Sequence, residues 1–402
     1  MSIEALRRRE VRKPAKAKRR ISLVAVIVAM AMVNLIMGIT FPLTALVLAR
    51  QGVETSWIGL NAAMQALPVL FMTPLTPRLI KRFGPAATMF TGLVIAAMAL
   101  PLMGLFPSLP IWFPLRALLG VAGCLLWATS EAWIHAMVED DRRGRMMGIY
   151  SASAAAGFSA GPVILVLVGT NGVLPFLIGG GAMLLGAVLM AFADWSRGHF
   201  DTGRKGAPVW GLVFLAPAAL LANFFFAAAE ESVTSFFSLY ALQFGMPEKI
   251  GLALLTIAAL GAIALQFPIG WLADKMNRMA LMVLLIALTI VGYATLPFVL
   301  PGVIATGIAI FFIVGIATGI YTVGMVLMGE RFTGGELAGA SALTTAMWGL
   351  GALVGAPFSG AAMELWHPHG LIAAVILLYL AYLPFPLIAW RRERAATDMI
   401  RT

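Results

Sequence analysis

The sequence predicts an all-α membrane protein, with twelve transmembrane helices in two pseudo-symmetric bundles of six. Three observations predict it. Apolar residues make up 61% of the 402, charged ones only 11%, and the mean hydropathy is +0.93; a water-soluble chain carries about a quarter charged residues. The apolar residues fall into stretches near the roughly 20 that cross a hydrocarbon core as a helix. Basic residues collect on alternate connections between those stretches.

Residues 1–20 form a basic tail with nine Lys or Arg, and the first span follows at 21–49. That span is too long for the apolar part of a secretory signal and lacks a small-residue cleavage site. Glycine, proline and charge then mark off spans at 56–77, 86–105, 110–137, 146–169 and 173–194. These form an expected first bundle over 21–195, joined by a polar linker at 196–209 to a second bundle over 210–390. The second bundle holds spans at 210–242, 250–272, 279–299, 302–329, 337–362 and 370–390, and a tail occupies 391–402. The seventh span is long enough to be read as two, but charge parity requires one. No length remains for a further soluble domain.

With the N-terminus placed in the cytoplasm, 25 of the 28 Lys and Arg fall on the cytoplasmic side. Arg50 and Lys249 fall opposite, and Arg116 lies within a span. Basic residues favour the cytoplasmic side, so both termini are expected there. This placement explains the net charge of +10 through lipid and topology, with no nucleic-acid partner. The single cysteine, Cys124, sits in a span and excludes an intrachain disulfide.

The halves resemble each other. Ile58-Gly59-Leu60 opens the second span and Ile250-Gly251-Leu252 the eighth; Gly144 to Gly148 begins the fifth and Gly335 to Gly339 the eleventh. Parallel repeats place a transport pathway at their interface.

Gly270-Trp271-Leu272-Ala273-Asp274-Lys275-Met276-Asn277-Arg278 occupies the turn between the eighth and ninth spans. There Gly270 would allow close helix approach, and Asp274 would face the positive end of a neighbouring helix. This run strongly resembles the signature loop of the major facilitator superfamily. Its first-half counterpart, Pro77 to Gly84, is degraded, with Lys81 where the family carries aspartate. Arg116 to Gly120 resembles the family's intramembrane arginine motif. Gly148, Gly157, Gly161 and Pro162 resemble the fifth-span motif of proton-coupled drug exporters, although Leu165 and Val166 replace its terminal glycines. The eleventh span has a cousin in Gly351, Gly355 and Pro357. Trp127 to Glu131, with Arg143, Arg145 and Tyr150, resembles the bacterial YcaD-like branch. The resemblance implies the major facilitator fold, alternating access, and a gating role for Gly270, Asp274, Arg143 and Arg145. By the halves' symmetry, Asp274 is expected near Thr333 to Leu337.

Intramembrane ionisable groups need a cavity, a partner or a proton. Glu131 shares a helical face with Arg116, Gly120, Gly123 and Trp127, but stands about 22 Å from Arg116 along the axis. Either it binds protons or it hydrogen-bonds a neighbouring helix. Glu230 and Glu231 lie mid-way along the seventh span and point about 100° apart, so one of the two is expected to face a cavity. Asn34, Trp127, Gln266, Tyr321 and Trp348 are candidates to line it, or to pack between helices. His135, one turn after Glu131, reads as an interface histidine rather than a proton relay.

These readings converge on a monomeric secondary transporter of a small organic molecule in the bacterial inner membrane, coupled to protons; export is implied by the resemblance of Gly157 to Pro162 alone. Proton-coupled import of a metabolite such as a sugar or carboxylate is the alternative, followed by a transporter-like sensor. An intramembrane enzyme is not expected, because no triad or metal-ligand spacing occurs. No cofactor is implied.

Overall fold

In a computed structural model, the protein is all-helical among the described residues. These are 3–138, 140–195 and 210–401 for the backbone, with side chains described except at 3–17, 135, 140, 141, 143, 144, 334, 335, 337, 338 and 396–401. The expected linker at 196–209 lies outside them.

The order is α1 (Ile3–Arg50), α2 (Thr55–Ala66), α3 (Val69–Phe83), α4 (Pro85–Leu105), α5 (Leu109–Met137), α6 (Asp140–Val168) and α7 (Leu174–Ala191). Then come α8 (Leu212–Leu215), α9 (Pro217–Gln243), α10 (Glu248–Lys275), α11 (Arg278–Val299) and α12 (Val303–Arg331). The last are α13 (Gly334–Leu365), α14 (Gly370–Tyr382) and α15 (Pro384–Arg401). Three expected spans are broken, each beside a proline that lacks the amide hydrogen a helix needs: Pro68 between α2 and α3, Pro217 after α8, and Pro384 after α14. Gly84 turns the chain from α3 into α4 at φ 88°, a left-handed conformation suited to glycine, and Pro85 then starts the helix.

Among the described residues, eleven helices are long and apolar enough to cross a membrane, α2 with α3 and α14 with α15 each counting as one. The expected seventh span, α9, is not among them. Asn223, Glu230, Glu231 and its hydroxyl residues make it less apolar, and the protein encloses it instead: of residues 218–241, all but Leu221, Phe224, Phe225 and Glu230 are buried. A polar helix in a bilayer needs such a protein sheath.

The chain clusters into two compact units. Of the described residues, one comprises those within 3–39, 71–161 and 171–195, and the other those within 40–70, 162–170 and 210–401. In the first, α4 packs on α5 and α7. There α1 meets α6 backbone to backbone: a Cβ at Gly157 would overlap the Ala31 carbonyl, and one at Gly161 would overlap Gly38. In the second, α9 packs on α13 in the same manner, with Gly351 against the Phe224 carbonyl and Gly355 against that of Ala228. First-on-fifth and seventh-on-eleventh contacts therefore repeat, as the halves' sequence likeness predicts. Also in the second unit, α10 packs on α12 and α2 on α13.

Candidate functional site

On α5, burial separates the members of the face read from sequence. Arg116 is enclosed, at 1% exposure, whereas Trp127 is 40% exposed. Glu131 is half-buried and accepts a hydrogen bond from the indole Nε1–H of Trp127 at 3.0 Å. That spacing of one turn brings the two side chains together on a helix surface. The donor is neutral, so the carboxylate is oriented without being neutralised by it. Ser130 and Tyr150 share a hydroxyl hydrogen bond of 2.9 Å that ties α5 to α6 beside this pair. Asn34 is turned to its own helix, donating to the Met30 carbonyl at 2.9 Å. The side chain of His135 lies outside the described residues.

On α9 the two adjacent carboxylates have different environments. Glu231 is 6% exposed. Glu230 is exposed, although Asn223, Phe226, Ala227, Val233, Thr234 and Phe237, its neighbours three, four and seven residues away, are all buried. A lipid-facing helix surface would expose those neighbours too, because residues at these spacings share a face. Isolated exposure means that Glu230 opens onto an internal space. It lies thirteen residues from each end of α9, at the middle of the span. Its carboxylate makes no hydrogen bond or ion pair among the described residues, and it is near enough to Tyr293 of α11 and Tyr379 of α14 to interact electrostatically with both. Phe226, one turn away, packs against Tyr321 of α12 with ring centroids 5.6 Å apart. Asn223, a further turn along, is 1% exposed, with neither amide atom hydrogen-bonded among the described residues. Trp348 is half-buried, while Gln266 on α10 is exposed.

The gating residues are less assembled than the sequence implies. Asp274 is exposed and forms no hydrogen bond or ion pair among the described residues. Gly270 is not at a close helix approach, since a Cβ there would meet nothing within 4 Å. The turn is organised by its neighbours: Arg278 pairs with Glu330, Lys275 lies 4.0 Å above the Trp271 ring, and Asn277 caps α11 while donating to Glu393 at 3.0 Å. Arg145 is exposed, and the Arg143 side chain lies outside the described residues. Gly148 likewise meets nothing within 4 Å, so of the fifth-span glycines Gly157 and Gly161 do the packing.

The sequence reading missed a contact at the other end of the spans. Arg50, at the end of α1, pairs with Glu248, at the start of α10, at 2.6 Å, and Thr170 beyond α6 bonds both. Beside them, Thr55 donates to the Gly360 carbonyl at 2.7 Å, joining α2 to α13. A signal was present: Arg50 is one of only two Lys or Arg assigned to that side.

Comparison with known proteins supplies the family. The model of the major facilitator superfamily matches residues 21–299 and again 220–398. The chain belongs to the major facilitator superfamily. Among its relatives is the uncharacterized MFS-type transporter YfkF of Bacillus subtilis, 25% identical over 85% of this chain and 88% of YfkF. The uncharacterized MFS-type transporter YcaD of Escherichia fergusonii is 24% identical over 88% of this chain and 92% of its own. Multidrug resistance protein 1 of Bacillus subtilis is 24% identical over 65% of this chain and 68% of its own. Among solved structures, the nucleoside transporter NupG superposes with a TM-score of 0.70 at 13% identity, covering 92% of this chain and 98% of NupG. A bacterial homologue of the human lysosomal transporter Spinster gives 0.70 at 13% identity, over 92% and 95%. The fold is thus that of the superfamily, and the protein is one of its multi-pass membrane transporters, not an enzyme.

Proposed function

We propose that the protein exports a small organic molecule in exchange for protons, as a monomer in the bacterial inner membrane with both termini in the cytoplasm. The observation that carries this reading is the presence of two intramembrane carboxylates: Glu131, which accepts a hydrogen bond from an indole, and Glu230, open at mid-span and without a hydrogen bond or ion pair among the described residues. A carboxylate at membrane depth is costly as an anion and is retained where it binds a proton or a ligand. Glu131 is six residues from the end of α5, about 9 Å along the helix, which suits exchange of a proton with water on that side. Export follows from the Gly157, Gly161 and Pro162 resemblance and agrees with the likeness to a multidrug resistance protein. Arg50, Thr170 and Glu248 would then serve as a latch on the outer side.

The test is transport in sealed proteoliposomes, with ligands first found by a thermal-shift screen of the purified protein. An imposed pH gradient should drive accumulation of the ligand on the acidic side, and collapsing the gradient should abolish it. Ligand movement indifferent to the gradient would remove proton coupling from the reading. Reporter fusions at Pro208 and Thr402 test the topology, and both should report the cytoplasm.

A further inference from the structure

At one end of the second unit, two exposed apolar helix faces run into a cluster of cations. On α10, Leu260, Ile263, Phe267 and Trp271 recur at three- and four-residue steps, so they share a face, and all are exposed, Phe267 at 83%. In a membrane protein such a face lies against acyl chains. One turn further, Lys275 ends the face, its ammonium 4.0 Å above the Trp271 ring. On α15, exposed Phe385 and Ile388 lead in the same way to Arg391 and Arg392. The two ends meet, because Asn277, just beyond α10, donates to Glu393 of α15 at 3.0 Å. Lys275, Arg391, Arg392 and Arg394 each lie within two residues of a partner in that bond, and all four are exposed. None of the four has an ion-pair partner among the described residues. Arg278 and Glu330 compensate each other, and the acidic side chains left in the patch are Asp274 and Glu393. Four basic groups against two acidic ones leave a surplus of two positive charges.

We propose that this patch binds an anionic phospholipid, its phosphate on Lys275, Arg391 and Arg392 and its acyl chains along the exposed faces of α10 and α15. The charge surplus stands where those faces end, which is where a headgroup phosphate sits above its own chains. Trp271 suits that boundary, since its ring is apolar and its indole N–H can meet water or a headgroup. Guanidinium groups offer a planar fork of donors that matches phosphate oxygens. A zwitterionic headgroup would bring its own ammonium against the surplus of positive charge. Free phosphate would meet only exposed, screened cations and would gain nothing from the apolar faces. A lipid touching both helices would add to the Asn277–Glu393 bond in holding α15 against the signature turn. The inference is independent of export and of proton coupling; it requires only that the protein stands in a bilayer.

Native mass spectrometry of the purified full chain in detergent tests this, with tetraoleoyl cardiolipin and dioleoyl phosphatidylcholine as the two probes. Cardiolipin should bind at least about tenfold more tightly, because each basic residue at an anionic lipid surface contributes about a fivefold gain. The triple variant Lys275→Gln, Arg391→Gln, Arg392→Gln should lose about tenfold or more of that affinity. The control Arg78→Gln, Lys81→Gln, Arg82→Gln removes the same charge from the exposed end of α3 and should change the affinity less than about twofold. Inorganic phosphate in large excess, compared with chloride of equal ionic strength, should leave cardiolipin bound. Equal binding of the two lipids, an unaltered affinity in the first variant, or an equal loss in the control would overturn the inference. Displacement by inorganic phosphate would make the patch a plain anion site and overturn the lipid assignment. All six substituted side chains are exposed, and the comparison of the two lipids on the unaltered protein stands even where a variant fails to fold.

Discussion

Glu131 on α5 and Glu230 on α9 are the same chemical group in helices of similar length, yet they are held differently. Glu131 is half-buried near one helix end and shares its oxygen with the indole of Trp127. Glu230 sits at the centre of its helix, exposed among buried neighbours and without a hydrogen bond among the described residues. The difference teaches that depth alone does not assign a role to an intramembrane carboxylate. In the proposed function, the oriented carboxylate near a helix end exchanges a proton, whereas the one open at mid-span is available to a proton or a ligand. Glu231, adjacent to Glu230 and buried, supplies a third case in which the side chain is committed to the fold.

The comparison breaks most severely if both groups are removed together. The double variant Glu131→Gln, Glu230→Gln should reduce ligand flux in proteoliposomes to that of empty liposomes; substantial residual flux would mean that neither carries the cycle. Next in size, Glu231→Ala should lower stability by about 1–3 kcal/mol, because it removes a buried, partnered polar group. Glu230→Ala should change stability by less than about 1 kcal/mol, there being no hydrogen bond to lose. Thermal unfolding of the two proteins checks the contrast, and equal losses would erase the distinction between them. Smaller again, Trp127→Phe deletes the hydrogen bond to Glu131 and should cost about 1 kcal/mol, while loosening the response of transport to pH. The smallest effect belongs to Gly148→Ala, within about 0.5 kcal/mol, since nothing lies where the methyl would go. Gly157→Ala, directed at the Ala31 carbonyl, should cost about 1–3 kcal/mol by overpacking.

The fold was legible in the sequence because a bilayer imposes length and hydropathy on every span. Several boundaries came within a few residues where charge or glycine marked them, but α1 begins at Ile3 and α15 ends at Arg401, so helix continues into both expected basic tails. They failed where a proline broke a continuous apolar run, as at Pro68, Pro217 and Pro384. The site was legible only as a set of residue types. Sequence spacing put Glu230 and Glu231 about 100° apart, but their different burial depends on what packs against α9, which no local pattern records. The Gly157 and Gly161 contacts follow from small residues at a helix interface, whereas Gly148 and Gly270 carry the motif without the contact. The Arg50–Glu248 pair joins residues 198 apart, beyond the reach of any spacing argument.

The central claim is that transport is driven by protons taken up at an intramembrane carboxylate, and Glu131→Gln tests it most directly. Glutamine keeps the volume and an oxygen for the Trp127 indole but cannot exchange a proton. The measurement is ligand flux in proteoliposomes with and without an imposed pH gradient, compared with the parent protein. The account predicts that the variant still folds and binds ligand, and that its flux is the same with the gradient as without it. A variant that responds to the gradient as fully as the parent would contradict the account and place proton coupling away from Glu131.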